Sequence, residues 1–142
     1  MAITQAMCTS FKVQILSGAQ NFNTGTAKVY KIALYTSAAA LDATTTSYSS
    51  TNETVGTGYT AGGNTLVINQ VPTSTGTTAF ISFANTTWTN ASITARGALI
   101  YNSTDNTAVA VLNFGADKTS TSGDFTIAFP SADATNAIIR IA

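Results

Sequence analysis

Hydrophobic and polar residues alternate along much of this 142-residue chain, and the alternation defines its first elements. In Lys28–Tyr35, Tyr30, Ile32 and Leu34 fall on one face and Val29, Lys31, Ala33 and Tyr35 on the other, which predicts a strand with one fully buried face. Further short strands are predicted at Leu66–Val71, Thr78–Ala84, Ala91–Ala95, Gly97–Tyr101, Ala108–Phe114, Phe125–Phe129 and Ala137–Ile141. Pro72–Gly76, Asn102–Asn106, Lys118–Gly123 and Pro130–Asp133 carry the residues that accept tight backbone geometry and read as turns between them. Near the N-terminus two periods compete. Phe11, Val13 and Ile15 alternate as in a strand, while Met7, Phe11 and Ile15 recur at helical spacing. The punctuation decides for a helix over residues 4–18, with Thr4 or Thr9 placed to cap its start and Gly18 where a left-handed C-terminal residue is wanted.

Roughly eight strands in ~110 residues, rich in Thr, Val, Ile and aromatics, imply an all-β fold: an antiparallel β-sandwich or jelly-roll-like barrel with one short N-terminal helix. Nothing divides the chain, so residues 1–142 read as a single domain. Between them, residues 36–64 form a long segment of Ser, Thr, Gly and Asn with scattered tyrosines. A loop of that length in a compact domain is either functional or ordered against something, which makes it the expected contact region.

Composition sharpens this picture. Six basic and six acidic residues cancel, charged residues are 8% of the chain, and neither sign clusters, so no electrostatic footprint for nucleic acid exists. Solubility rests instead on 27 Thr, 13 Ser and 11 Asn. A surface without net charge loses the usual repulsion between copies and tolerates dense packing. The absence of His excludes His-ligated zinc, Ser-His-Asp and Cys-His catalysis. Cys8 is the single cysteine, so no intrachain disulfide forms, and its apolar setting points to a small buried hydrophobe rather than a nucleophile. Residues 1–7 lack a basic region and a long apolar run, so they do not read as a signal peptide, and no membrane-inserting stretch is seen.

Candidate chemistry is sparse. Gly56-Thr-Gly58-Tyr-Thr-Ala-Gly62-Gly63 has the glycines of a phosphate-cradling loop, but no helix follows it and no Gly-Lys-Ser/Thr ending occurs, so these glycines read as turns or close backbone contacts. Asp117 and Asp124 are expected to face each other across a turn holding Gly123, as solvated turn residues rather than a calcium or glycosidase pair. Asn-x-Ser/Thr triplets at Asn52, Asn85, Asn90 and Asn102 are no more than chance gives so Ser- and Thr-rich a chain. Arg96 and Arg140 interrupt apolar strand runs, either pointing outward beside apolar neighbours or offering forked donors to an interface. Trp88 reads as a core anchor, while Tyr48 and Tyr59, within the long segment, read as contact residues. The candidate interface residues are thus Phe11, Tyr48, Tyr59, Arg96 and Arg140. No catalytic residue, cofactor site or metal site is expected.

Several phrases carry a resemblance that spans nearly the whole chain: Ser10-Phe-Lys, Lys31-Ile-Ala-Leu-Tyr-Thr36, Gly56-Thr-Gly58-Tyr59, Ala108-Val-Ala-Val-Leu and Ala137-Ile-Ile-Arg-Ile-Ala142. Most specific is Thr94-Ala-Arg-Gly-Ala-Leu-Ile-Tyr-Asn102. With these phrases the chain resembles small virion structural proteins of tailed bacteriophages. The resemblance implies a non-enzymatic component of the assembled particle, made in the host cytoplasm. Its partners would be the major capsid protein or other virion proteins and copies of itself. A head decoration or cement protein is the leading expectation, and a tail or tail-tip component binding a host receptor is the alternative.

Overall fold

A computed structural model describes residues 2–25 and 28–142; Met1, at the head of the segment read as carrying no leader, lies outside the described residues, as do Thr26 and Ala27. The elements are β1 (Ala6–Met7), α1 (Thr9–Leu16), β2 (Tyr30–Tyr35), β3 (Asn64–Thr65), β4 (Ile68–Thr75), β5 (Thr78–Phe83), β6 (Thr86–Asn102), β7 (Thr107–Ile127) and β8 (Ile139–Ile141). They form two sheets, one five-stranded in the order β1-β7-β6-β2-β3 and one three-stranded in the order β4-β5-β8. All the strand pairings are antiparallel. The fold is therefore all-β and sandwich-like with one short helix, as the strand pattern predicts.

Aromatic rings tie the layers together. Phe22 stacks on Tyr30 of β2 with ring centres 4.4 Å apart and meets Phe11 of α1 edge-on at 5.9 Å, while Phe83 of β5 lies 6.1 Å from Phe22. This seam places Tyr30, Ile32 and Leu34 toward the second sheet. The prediction of one buried face on this strand is too modest, because both faces are buried. β2 is an interior strand. Part of residues 36–64 lies over its other face, where the Tyr35 hydroxyl donates to the Ser49 carbonyl at 2.7 Å, and part runs along its edge, where Glu53 bridges Tyr35.

The helix is shorter than the predicted 4–18 and starts differently. Residues 2–4 are extended, with a parallel bridge between Ile3 and Leu41, and Cys8 precedes the helix without a side-chain cap. Neither Thr4 nor Thr9 caps the start. Instead, the Cys8 and Thr9 amides donate to the Val109 and Ala43 carbonyls at 2.9 and 2.8 Å, so tertiary partners satisfy them. At the other end Gly18 takes the expected left-handed conformation, φ +77°.

One predicted turn is a bulge instead. The separate strands at Ala91–Ala95 and Gly97–Tyr101 are one strand, β6, and those at Ala108–Phe114 and Phe125–Phe129 belong largely to β7. Lys118–Gly123 lies inside β7. The pairing shifts between Ser120 and Gly123, and Ser122 adopts φ +45°. A second shift, between Asn113 and Lys118, contains Gly115 at φ +79°. The turn-forming residues are thus used for bulges that bend a continuous strand. Asp117 and Asp124 consequently sit along one strand and do not face each other across a turn. Likewise Pro72 lies within β4, which tolerates it as an edge strand that does not need every donor.

Candidate functional site

The segment 36–64 is built around a buried carboxylate. Glu53, the one charged residue between Asp42 and Arg96, is only 7% exposed. Its Oε2 accepts from the Tyr48 hydroxyl at 2.6 Å, and its Oε1 accepts from the Tyr59 hydroxyl and the Gly62 amide, both at 2.7 Å. Three donors thus converge on its two oxygens, so this buried carboxyl group has hydrogen-bond partners on both sides. The network extends into the sheet. The Leu34 amide of β2 donates to the Tyr59 hydroxyl at 2.8 Å, and Tyr101 of β6 donates to the Gly62 carbonyl at 2.7 Å and stacks on Tyr48 at 4.8 Å.

Backbone contacts complete the attachment. The Thr54 amide donates to Leu34 at 2.8 Å, its hydroxyl donates to the Thr94 carbonyl at 3.0 Å, and Thr57 bridges Ser92. The glycines make this approach possible. A Cβ on Gly63 (φ +76°) would overlap the Ile32 carbonyl, and one on Gly58 (φ +83°) would lie 2.8 Å from the Ala91 Cα. The glycine-rich run is therefore a set of close backbone contacts, one of its two predicted readings, and the neighbour is this chain's own sheet.

Burial, with the adjacent Glu53 carboxylate second, pushes the phenols of Tyr48 and Tyr59 well above the ordinary tyrosine range. Both stay neutral donors at physiological pH. Their polar ends are occupied inside the chain, and Tyr59 also packs against Trp88 at 5.8 Å. Both residues are half-buried, and their hydroxyls are engaged inside the chain. Phe11 is 0% exposed and belongs to the core, so it offers no contact surface either. Arg96 is partly exposed and reaches Asp117 at 3.5 Å across the bulge in β7. Arg140 is exposed on β8 and donates to the Ala134 carbonyl at 3.4 Å. The five residues do not gather into one site.

Trp88 sits in the core at 4% exposure, as expected. Cys8 is fully buried, and burial pushes its thiol up to about 11, the behaviour of an inert core cysteine. Glu53 was the residue the pattern did not single out, yet its isolation amid uncharged residues, with tyrosines on either side in sequence, was a visible sign. Several hollows open on the surface. One of about 570 Å³ lies beside β7, with an apolar lining that includes Leu112, Phe114, Phe129 and Ile138. Another of about 450 Å³ has a mixed lining, with Tyr35, Ala39 and Leu41 beside Asp42 and hydroxyl residues between Thr44 and Thr51.

Comparison with protein-family models, with curated proteins and with solved structures returns no match.

Proposed function

We propose that this chain is a structural component of a tailed-bacteriophage particle, a head decoration or cement protein that stabilises the capsid without catalysis. Its contacts are with the major capsid protein or other virion proteins and with copies of itself. The observation that carries the reading is the fixed state of residues 36–64. A segment with a loop's composition is fastened to the sheet by Glu53 and the glycine contacts, giving a pre-ordered surface of hydroxyls and amides with little charge. Such a surface loses little entropy on packing and does not repel its neighbours. Repetition over a symmetric shell then multiplies a modest contact. The test is removal of the gene. Particles lacking the protein are expected to assemble but to break more readily on heating or osmotic shock. Equal robustness, or absence of the protein from purified particles, contradicts the reading.

The tail-tip alternative draws support from the hollow beside Thr44–Asn52, where apolar side chains and hydroxyls together suit the faces and polar edges of a glycan. Imaging labelled protein on intact particles separates the two, by position on the head or at the tail.

A further inference from the structure

The hollow of about 450 Å³ falls within the size range of small-molecule sites, about 300–1,000 Å³. Its apolar lining includes Tyr35, Ala39 and Leu41, all of them buried. Both stretches of chain around it are fastened before anything enters. On one side the Leu41 amide donates to the Ala2 carbonyl at 3.1 Å, the Leu41 carbonyl accepts from the Thr4 amide at 2.8 Å, and the Thr46 carbonyl accepts from the Ala108 amide at 2.9 Å. On the other, the Ser49 carbonyl accepts from the Tyr35 hydroxyl at 2.7 Å and the Asn52 carbonyl from the Thr36 amide at 3.0 Å. A ligand therefore meets a hollow already in place and loses little affinity to ordering it.

Asp42 is the one charged residue on this lining. Its Oδ1 accepts from the Thr44 amide at 2.8 Å and the Thr44 hydroxyl at 2.5 Å, whereas its Oδ2 accepts no hydrogen bond among the described residues. The Thr44 hydroxyl, and then the Thr44 amide, hold the carboxyl below the usual carboxylate range, so it is ionised at neutral pH. Other polar groups also keep capacity. The Thr45 hydroxyl accepts from the Asp42 amide at 3.1 Å and the Thr51 hydroxyl from Ser49 Oγ at 3.2 Å, which leaves each a proton to donate. Asn52 gives its Nδ2 to the Ala38 carbonyl at 3.2 Å and retains Oδ1 as an acceptor. We infer that this hollow binds a neutral saccharide, with a ring hydroxyl donating to Asp42 Oδ2 and the C–H face of the ring against the apolar lining. Each sugar hydroxyl both donates and accepts, so one ligand class uses the free carboxylate oxygen, the spare hydroxyl protons and the apolar surface together. A hydroxyl-to-carboxylate bond is charge-assisted. The single negative charge decides for a neutral sugar, because an acidic one would set two like charges side by side. A simple cation is a poorer fit, since one exposed carboxylate gives it little and leaves the hydroxyls unused.

This inference deepens the tail-tip alternative by naming the ligand class and its anchor, and it rests on that reading for its purpose in the particle. Its test needs only the purified full chain, so its failure is distinct from any result on where the protein sits in the particle. Isotope-labelled protein is titrated with methyl glucoside, methyl galactoside, methyl mannoside and N-acetylglucosamine and followed by heteronuclear NMR, with glucuronic acid as the acidic comparator. At least one neutral sugar should shift the amide signals of residues 42–46 and 49–52 saturably, at about millimolar affinity. Asp42→Asn keeps an oxygen for Thr44 but loses the charge, and should weaken binding at least about tenfold. Thr51→Val leaves Asp42 intact and should weaken it at least about threefold. Asp133→Asn removes a carboxylate outside the hollow and should bind like the wild type. No saturable shift with any neutral sugar, glucuronic acid binding as well as the neutral sugars, or undiminished binding by Asp42→Asn and Thr51→Val would each overturn the inference.

Discussion

Residues 36–64 and the outer half of β7 are written in the same vocabulary of Thr, Ser and Gly, yet the chain uses them in opposite ways. The first has a loop's composition and is fastened to the sheet through one buried carboxylate and glycines that admit close approach. The second has a turn's composition and is a strand, bulged but continuous, with one edge unpaired. Small polar residues therefore identify neither a mobile loop nor a contact surface. What separates the two regions is whether their backbone donors and acceptors find partners within the chain.

The largest effect should come from breaking the fastened region at its tightest point. Gly63→Ala must displace the Ile32 carbonyl of an interior strand and also strain a left-handed residue, so it should cost at least about 4 kcal/mol or prevent folding, as read by denaturant unfolding. Gly18→Ala provides the contrast. It has a similar φ of +77° but nothing within 4 Å of the added carbon, so about 1 kcal/mol is expected.

Removing the carboxylate comes next. Glu53→Ala leaves two phenols and an amide without their acceptor and should cost about 3–5 kcal/mol, while Glu53→Gln keeps the shape and an acceptor oxygen and should cost about 1–3 kcal/mol. Equal stability of the wild type and Glu53→Ala would show that the segment is held by something else.

Alkaline pH tests the buried phenols and the buried thiol without mutation. Burial pushes the Tyr30 phenol up to about 12 from 10.0 and the Cys8 thiol up to about 11 from 9.0, and lifts Tyr35, Tyr48 and Tyr59 as well. Once unfolded, these groups ionise at their ordinary values, so above about pH 9 the unfolded chain binds fewer protons than the folded one. Stability should be undiminished by these groups below that pH and fall steadily as pH rises through 10–12, measured as the denaturant midpoint. A flat profile there would mean that the phenols ionise freely in the folded state. The smallest effect belongs to the open region. Arg96→Ala breaks a partly exposed pair at 3.5 Å and should change stability by no more than about 0.5 kcal/mol.

Much of the fold was legible in the sequence. Period-two alternation placed β2, β5 and most of the sheet residues of β6 and β7, and Gly18 marked the helix end. Strand continuity was not legible. Ser122 and Gly115 carry the conformational signature of turns, and only pairing with β6 reveals that they form bulges. The helix start was equally hidden, since the acceptors of its first amides, Ala43 and Val109, are remote in sequence. At the candidate site the tyrosines were noticed, but their partner was not. Tyr48 and Tyr59 look like contact residues until Glu53 is placed between them, and that convergence is a product of the folded segment.

Hydrogen exchange on the intact protein compares the two regions most directly. The amides of Thr54, Tyr59, Gly62 and Gly63, each with an acceptor inside the chain, should exchange as slowly as those of the central strands. Amides of residues 119–126 on the open side of β7, which lack a strand partner among the described residues, should exchange faster. Rapid exchange through residues 48–63 while β2 and β6 stay protected would contradict the account.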